Sequence, residues 1–224
     1  MRLASFRLLT AAAMLLGLYS APSQAANGTW TGAADSLWTN SANWSVSPYA
    51  GSNTGESALF DSAGGGRTTL DIDGLYSIWG LTFDTENVAA YTLGEGGPNS
   101  QTLVMGGSGI YYLTAAAANS QTINAKLQLG GSNQAGSYFL RNENTAETFY
   151  FAGDVTAGSN SSAGVKNLSV FGAGGMTFSG NLYKGAAAGL VLTNGLAGTL
   201  TLSGSNTLQT LYLGVDSDTL TDIG

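Results

Sequence analysis

Two carboxylates are the side chains whose type and spacing best suit chemistry. Asp71 and Asp73 flank Ile72, and on a β-strand residues at i and i+2 point to the same side. Such a pair could bind a cation together, or supply the acid and base that cleave a glycosidic bond. Arg67 is the only base near them in the sequence. Because Ile72 would point into the core from the same strand, we expect both carboxylates to be ordinary outward-facing residues.

Three further acids near the end of the chain have some likeness to a calcium loop. Asp216, Asp218 and Asp222 lack the closing glutamate of an EF-hand and the glycine-rich nonapeptide of calcium-binding β-rolls. Residues 106–109 and 172–175 are rich in glycine, but neither segment opens a helix that could cradle phosphate, so we interpret both as corners. The sequence therefore predicts no catalytic, metal-binding or cofactor-binding residue, no cofactor and no enzymatic activity.

Composition excludes several other kinds of site. The 224-residue chain has no Cys and no His, which excludes thiolate zinc sites, disulfides and imidazole bases. Seven Lys and Arg against 14 Asp and Glu give a formal charge of −7, so we expect no nucleic-acid partner. Charged residues are 9% against about 25% in ordinary soluble domains. The 43% of hydrophobic residues are enough for a sizeable core.

Residues 1–25 have the pattern of a secretory signal peptide. Arg2 and Arg7 form a basic start, residues 8–20 are mostly apolar, and Ser23 and Ala25 occupy the −3 and −1 positions of a cleavage site. The apolar stretch is shorter than the roughly 20 residues that a membrane-spanning helix needs, and no later stretch is long enough. We therefore predict an exported protein that has no transmembrane segment after signal removal.

The elements that must position all these residues are short, repeated strands. Alternating apolar and polar runs bounded by Gly, Asn and Ser recur along the chain, as expected for β-strands. The last apolar residues of one such series are Phe83, Met105, Leu129, Phe151, Phe178 and Leu202. Between them lies a second series, at residues 91–93, 111–113, 138–140, 168–170, 190–192 and 211–213.

Recurrence at this interval, with two or three strands in each repeat, predicts a solenoid. We expect an all-β parallel β-helix of about six turns, in which strands stack in register and the residues of the first series form one inward column. The alternative is an antiparallel β-sandwich, which also has short strands at regular intervals. The period of the repeat and the scarcity of hairpin dipeptides favour the solenoid.

The N-terminal part of the mature chain differs from the repeats. It contains Trp30, Trp38 and Trp44, and the terminal turns of solenoids must cover an otherwise open core. We therefore predict a Trp-rich cap region over residues 26–75, followed by solenoid repeats over 76–224. The alternative is that these tryptophans form an exposed strip that stacks on sugar rings.

Several segments resemble a known family. Residues 28–44, 58–64 and 76–84 look like the N-terminal region of bacterial autotransporter-associated β-strand repeat proteins. Residues 198–207, Gly-Thr-Leu-Thr-Leu-Ser-Gly-Ser-Asn-Thr, resemble the core of their repeat at every fixed position. The resemblance implies a right-handed parallel β-helix that is exported to the bacterial cell surface or outer membrane, as a passenger stalk, adhesin or surface layer. It implies no catalytic residues, and in a bacterium the sequons at Asn27, Asn43, Asn160 and Asn167 are plain polar loop residues.

One departure from the family concerns the C-terminal end. We expect no autotransporter β-barrel within these 224 residues, and residues 211–213 and 220–223 still have the repeat pattern. We expect either a fragment of a longer protein or end-to-end self-association. The predicted function is an exported, non-enzymatic, structural or adhesive surface protein with a surface polysaccharide or host-cell ligand. The alternative is a β-helix that binds or cleaves extracellular polysaccharide.

Overall fold

Parallel strand pairing builds the described part of the molecule. The computed structural model describes residues 27–53, 55–74, 76–130, 135–158 and 164–213. The predicted signal peptide, the acids at 216, 218 and 222, the sequon at 160 and the repeat-like residues 220–223 lie outside these ranges. Among the described residues, no helix has the length and apolarity to cross a bilayer.

The described elements are short strands and two 3₁₀ turns. The turns are Ser41–Asn43 and Gly64–Gly66. The strands are β1 Gly28–Thr29, β2 Ser57–Phe60, β3 Thr69–Leu70, β4 Tyr76–Phe83, β5 Thr92–Leu93, β6 Thr102–Leu113, β7 Gln121–Ile123, β8 Lys126–Leu129, β9 Gly136–Asn142, β10 Thr148–Phe151, β11 Val155–Thr156, β12 Val165–Gly172, β13 Gly175–Phe178, β14 Leu182–Tyr183, β15 Gly189–Leu196, β16 Leu200–Leu202 and β17 Thr210–Leu213.

The strands form three faces. Face 1 runs in the order β1-β2-β4-β6-β9-β12-β15-β17, and face 2 in the order β3-β5-β7-β10-β13-β16. Face 3 is built from the first halves of β4 and β6, followed by β8, β11 and β14. All strand pairs in the described residues are parallel, and the antiparallel contact there is an isolated bridge between Trp30 and Trp44. The solenoid is therefore confirmed, and the antiparallel sandwich is wrong.

Each coil visits face 2, then face 3, then face 1, and six such coils are described. The first runs from β3 to the end of β4, and the sixth from β16 to β17. In the first two coils a single long strand passes from face 3 to face 1, with a register shift between Ile78 and Gly80. The corner in β6 is the glycine-rich segment 106–109, where a Cβ on Gly109 would collide with the carbonyl oxygen of Trp79.

The inward side chains form a continuous apolar core, but not in the predicted columns. Phe83 lies on face 1, Met105 and Leu129 on face 3, and Phe151, Phe178 and Leu202 on face 2. All except the half-buried Leu202 are fully buried. The prediction of one shared column is wrong, because the same alternation occurs on all three faces.

Coil length explains that error. On face 1, the register partners Leu81, Tyr111, Leu140 and Val170 follow one another at almost equal intervals in the sequence. The next partner, Asn194, comes after a distinctly shorter interval. The first series of sequence marks advances by fewer residues than the early coils contain, so it moves from one face to another. The strands and their parallel stacking could be inferred from the sequence, whereas the length of the early coils and the face assignment needed the loop lengths.

The segment that resembles the autotransporter-associated repeat has structural roles. In residues 198–207, Leu200 and Leu202 face inward on β16. A Cβ on Gly198 would collide with the carbonyl oxygen of Gly174 in the coil below. Asn206 accepts a hydrogen bond at Oδ1 from the Leu182 amide over 2.9 Å. The residues of this repeat thus specify core filling, close stacking and coil-to-coil hydrogen bonds, which need no ligand.

Residues 27–53, which we call the Trp cap, close the N-terminal end of the core. Trp30, Trp38 and Trp44 are buried, with Trp38 in edge contact with Trp44 at 4.8 Å between ring centroids. All three rings pack on Phe60 of β2. Each indole N–H donates to a backbone carbonyl, for example Trp38 Nε1 to Ala50 over 2.7 Å. The capping role is confirmed, and the alternative of an exposed tryptophan strip is wrong.

Candidate functional site

The two carboxylates singled out in the sequence tie neighbouring segments together. Ile72 is 2% exposed and faces the core between them. Asp71 Oδ1 accepts from the side-chain amide of Gln101, and Asp73 Oδ2 accepts from Thr39 Oγ1 over 2.8 Å. Arg67 Nη1 donates to the Gly32 carbonyl over 2.7 Å. These contacts give the group a structural role in joining the Trp cap and a loop to the first coil.

The other sequence candidates do not converge on a centre. Within the described ranges, no group of three or more Asp and Glu side chains could hold a metal ion. Residues 172–175 form the corner between β12 and β13, where Gly172 has a φ of +117° that disfavours any other residue. Both glycine-rich segments are therefore corners, as the sequence predicts.

The sequons at Asn43 and Asn167 occupy opposite environments. Asn43 is completely buried and makes four hydrogen bonds. Its Oδ1 accepts from the amides of Ala34 and Asp35 over 2.8 and 3.0 Å, and its Nδ2 donates to Asp35 Oδ1 and the Leu37 carbonyl. Asn167 is exposed on face 1. The interpretation of Asn43 as a plain loop residue is wrong, because its side chain organises the Trp cap.

Several buried ionisable groups belong to the core. Burial raises the pKa of the Tyr111 hydroxyl well above its ordinary value, and that hydroxyl finds no hydrogen-bond partner among the described residues. Burial also lowers the pKa of the Lys166 ammonium, which lies 5.6 Å from the centroid of the Tyr138 ring. The Tyr138 phenol has a raised pKa for the same reason.

The most distinctive outward surface lies on face 1, and we call it the face 1 strip. Its members are the apolar, aromatic and charged outward residues of two adjacent rows in β6, β9 and β12, which are Ile110, Tyr112, Phe139, Arg141 and Phe171. Tyr112, Arg141 and Phe171 are register partners in three successive coils. Ile110 pairs with Phe139 in the neighbouring row. All five are partly exposed.

Arg141 organises the strip. Its guanidinium carbon lies 5.0 Å from the centroid of the Tyr112 ring and 5.5 Å from that of the Phe171 ring. Its Nε forms a 2.6 Å ion pair with Glu143 Oε1. Cation–π contacts of this kind contribute about 0.5–1 kcal/mol each at exposed sites. Arg141 is therefore held between two aromatic rings and a carboxylate, in one defined position.

The aromatic rings of the strip have different orientations. Phe139 and Phe171 are 6.2 Å apart between centroids and nearly perpendicular, at 84°. Ser169 completes one row within β12, and Thr82 and Thr193 continue the two rows in the neighbouring coils, so that all three add hydroxyl groups. The surface thus combines apolar ring surface, a cation, a carboxylate and hydroxyls, a mixture suited to stacking on a ligand and hydrogen-bonding it.

Face 2 provides the contrast. Its outward column, in register along the solenoid, consists of Thr69, Thr92, Thr122, Tyr150, Thr177 and Thr201. Tyr150 is 40% exposed, and it stands among threonines. The aromatic residues of face 1 are therefore not a general property of the outer surface.

The sequence analysis does not predict the face 1 strip, because it assigns outward strand positions to solvent without a further role. A signal was nevertheless present. Tyr112, Arg141 and Phe171 are almost evenly spaced in the sequence, at the interval that separates register partners in the early coils. Aligning the sequence at that period would have placed the three side chains in one row.

Comparisons with known proteins add no relative. No family profile, curated protein sequence or solved structure matches the chain. The resemblance to autotransporter-associated repeats therefore stays a prediction from the residues quoted above.

Proposed function

We propose that this chain is an exported, non-enzymatic β-solenoid that serves as a structural or adhesive surface protein, and that the face 1 strip is its adhesive surface. The observation that carries the proposal is the Tyr112–Arg141–Phe171 ladder, which holds a guanidinium between two aromatic rings on the outer surface of face 1. The signal-like N-terminus and the repeat resemblance support export to a cell surface.

Binding of an extended polymer suits this geometry. Neighbouring strands in a sheet lie about 4.7–4.9 Å apart, so the rings of Tyr112 and Phe171 mark positions two steps apart along the axis. The contacts of Arg141 already restrict its rotamers, which reduces the entropy lost when a ligand binds. A polysaccharide chain lying along the axis would meet aromatic and hydroxyl groups on successive coils.

Binding has more support than cleavage. Glycoside hydrolysis needs two carboxyl groups about 5–10 Å apart that face one sugar site. Asp71 and Asp73 each accept hydrogen bonds from neighbouring segments instead. Glu143, the carboxylate at the strip, is engaged by Arg141. We therefore propose polysaccharide recognition without bond cleavage.

The test is a binding assay of the full chain against immobilised polysaccharides and bacterial cells, with Tyr112→Ala/Phe171→Ala as the strip variant. We expect at least about tenfold weaker binding, the effect of losing about 1.4 kcal/mol, because aromatic anchors dominate interface energies. Tyr150→Ala is the matched control, since Tyr150 is an exposed aromatic residue on another face. Equal binding by the wild type and the strip variant would overturn the assignment.

A further inference from the structure

We infer that the face 1 strip recognises an uncharged polysaccharide rather than an acidic one. The inference rests on the proposed adhesive function and specifies the ligand class of the same surface. It follows from the charges at the strip, the surface of its rings and its length along the axis.

The charge balance at the strip disfavours an acidic ligand. Arg141 is the cation of the strip, and Glu143 neutralises it through the 2.6 Å ion pair. An incoming uronate or sulfate would have to displace that carboxylate or bind beside it. The whole chain also carries a formal charge of −7, which repels polyanions at low ionic strength.

The apolar part of the strip favours a sugar with exposed C–H faces. Tyr112, Phe139 and Phe171 supply ring surface. Because Phe139 and Phe171 are nearly perpendicular, their rings do not stack face to face on each other. An uncharged sugar loses less solvation than an acidic sugar when it is placed on such a surface. Sugars whose hydroxyls are mostly equatorial, as in β-linked glucans, expose the flattest C–H faces.

Hydrogen-bonding groups border the rings on both sides of the strip. Thr82 precedes Tyr112 in one row, while Ser169 and Thr193 follow Phe139 in the other. The guanidinium of Arg141 has five N–H donors in one plane, and Glu143 engages the one at Nε. Hydroxyl groups of a neutral sugar can accept from the remaining donors without breaking the ion pair.

The length of the strip indicates a polymer. Tyr112 and Phe171 are two coils apart, a distance of about 9–10 Å at ordinary strand spacing. The hydroxyl residues extend the two rows by one further coil toward each end. A single sugar could not contact both rings, so the strip suits a chain of several sugar units.

The experiment compares the full-length protein in native gels that contain mixed-linkage β-glucan, polygalacturonate or no polymer. We expect the β-glucan to retard the wild type and the Tyr150→Ala control. For Tyr112→Ala/Phe171→Ala, the dissociation constant obtained from the gels should be at least about tenfold higher. We expect no retardation by polygalacturonate. Preferential retardation by polygalacturonate would overturn the inference while leaving an adhesive strip in place.

Glu143→Gln provides a second test, which is specific to the charge argument. Removing the carboxylate leaves Arg141 without its neutralising partner, so this variant should gain polygalacturonate binding that about 0.5 M salt abolishes. Unchanged polygalacturonate binding in this variant would contradict the charge argument. If neither polymer retards any variant, the inference about the ligand class fails, while the assay on immobilised polysaccharides and bacterial cells still decides the adhesive function. Circular dichroism of each variant establishes that it is folded.

Discussion

The Trp cap and the six coils both bury aromatic residues, but they hold them in different ways. In the coils, backbone ladders repeat from turn to turn and most inward side chains are apolar, while a few buried amides, such as those of Gln121 and Asn142, hydrogen-bond to neighbouring coils. In the Trp cap, individual side chains make specific hydrogen bonds, such as the four of Asn43. The comparison teaches that one end of the molecule depends mainly on individual hydrogen-bonding residues, whereas the body depends mainly on a repeated apolar pattern.

The largest expected effect is on the Trp cap itself. Trp38→Ala should lower the free energy of unfolding by about 3–5 kcal/mol, because it opens a cavity beneath Trp44 and Phe60 and leaves the Ala50 carbonyl without its indole donor. Urea unfolding followed by far-ultraviolet circular dichroism measures the change. A loss under about 1 kcal/mol would show that the cap contributes little to the solenoid.

The second prediction compares two asparagines of the same sequon type. Asn43→Ala should cost about 2–3 kcal/mol, because it leaves buried donors and acceptors unpaired. Asn167→Ala, at an exposed position on face 1, should change stability by no more than about 0.5 kcal/mol. The two variants are compared in the same urea series. Similar costs at both positions would remove the distinction between a specific cap and a tolerant body.

The third prediction reverses the sign of the effect in the body. Tyr111→Phe should raise the free energy of unfolding by about 1 kcal/mol, because the Tyr111 hydroxyl is buried without a partner among the described residues. Removal of a polar atom thus stabilises a coil, whereas removal of polar atoms at Asn43 destabilises the cap. Thermal and urea unfolding measure the difference. A destabilised Tyr111→Phe variant would mean that the hydroxyl makes a favourable contact.

The smallest effect concerns pH. Hydrogen bonds from Asn43, Asn40 and the Leu37 amide hold the pKa of Asp35 below its ordinary value. The folded state therefore favours the ionised carboxylate, so its contribution is complete above the ordinary carboxyl pKa and is lost as pH falls through the lower folded value. Asp35→Asn should show a flatter decline in urea midpoint between about pH 5 and 2 than the wild type. Tryptophan fluorescence follows the transition, and identical profiles would contradict the prediction.

The sequence was sufficient for the architecture of the body. Alternation of apolar residues predicted short strands, and their regular recurrence predicted a solenoid, because a stacked coil must bury one side of every strand. It was insufficient for the assignment of Phe83, Met105 and Phe151 to three different faces. That assignment depends on the lengths of irregular loops between strands, which carry no periodic signal.

The Trp cap and the face 1 strip were predictable to different degrees. Burial of Trp30, Trp38 and Trp44 followed from the need to close an open core. The central position of Asn43 did not, since an asparagine in a polar loop has the same local sequence whether it faces water or the interior. The strip depends on residues that are a whole coil apart in the sequence, so only register brings Arg141 between its two rings.

Pairing of each coil with the one before it has a consequence for folding kinetics. Every new coil closes a short loop on its predecessor, and the entropy of loop closure varies only slowly with loop length. Coil addition therefore faces a similar barrier at every step, and each step builds on an edge already in place. The Trp cap lies at the N-terminal end of the described coils and supplies such an edge, so ordered growth can proceed from it toward the later coils.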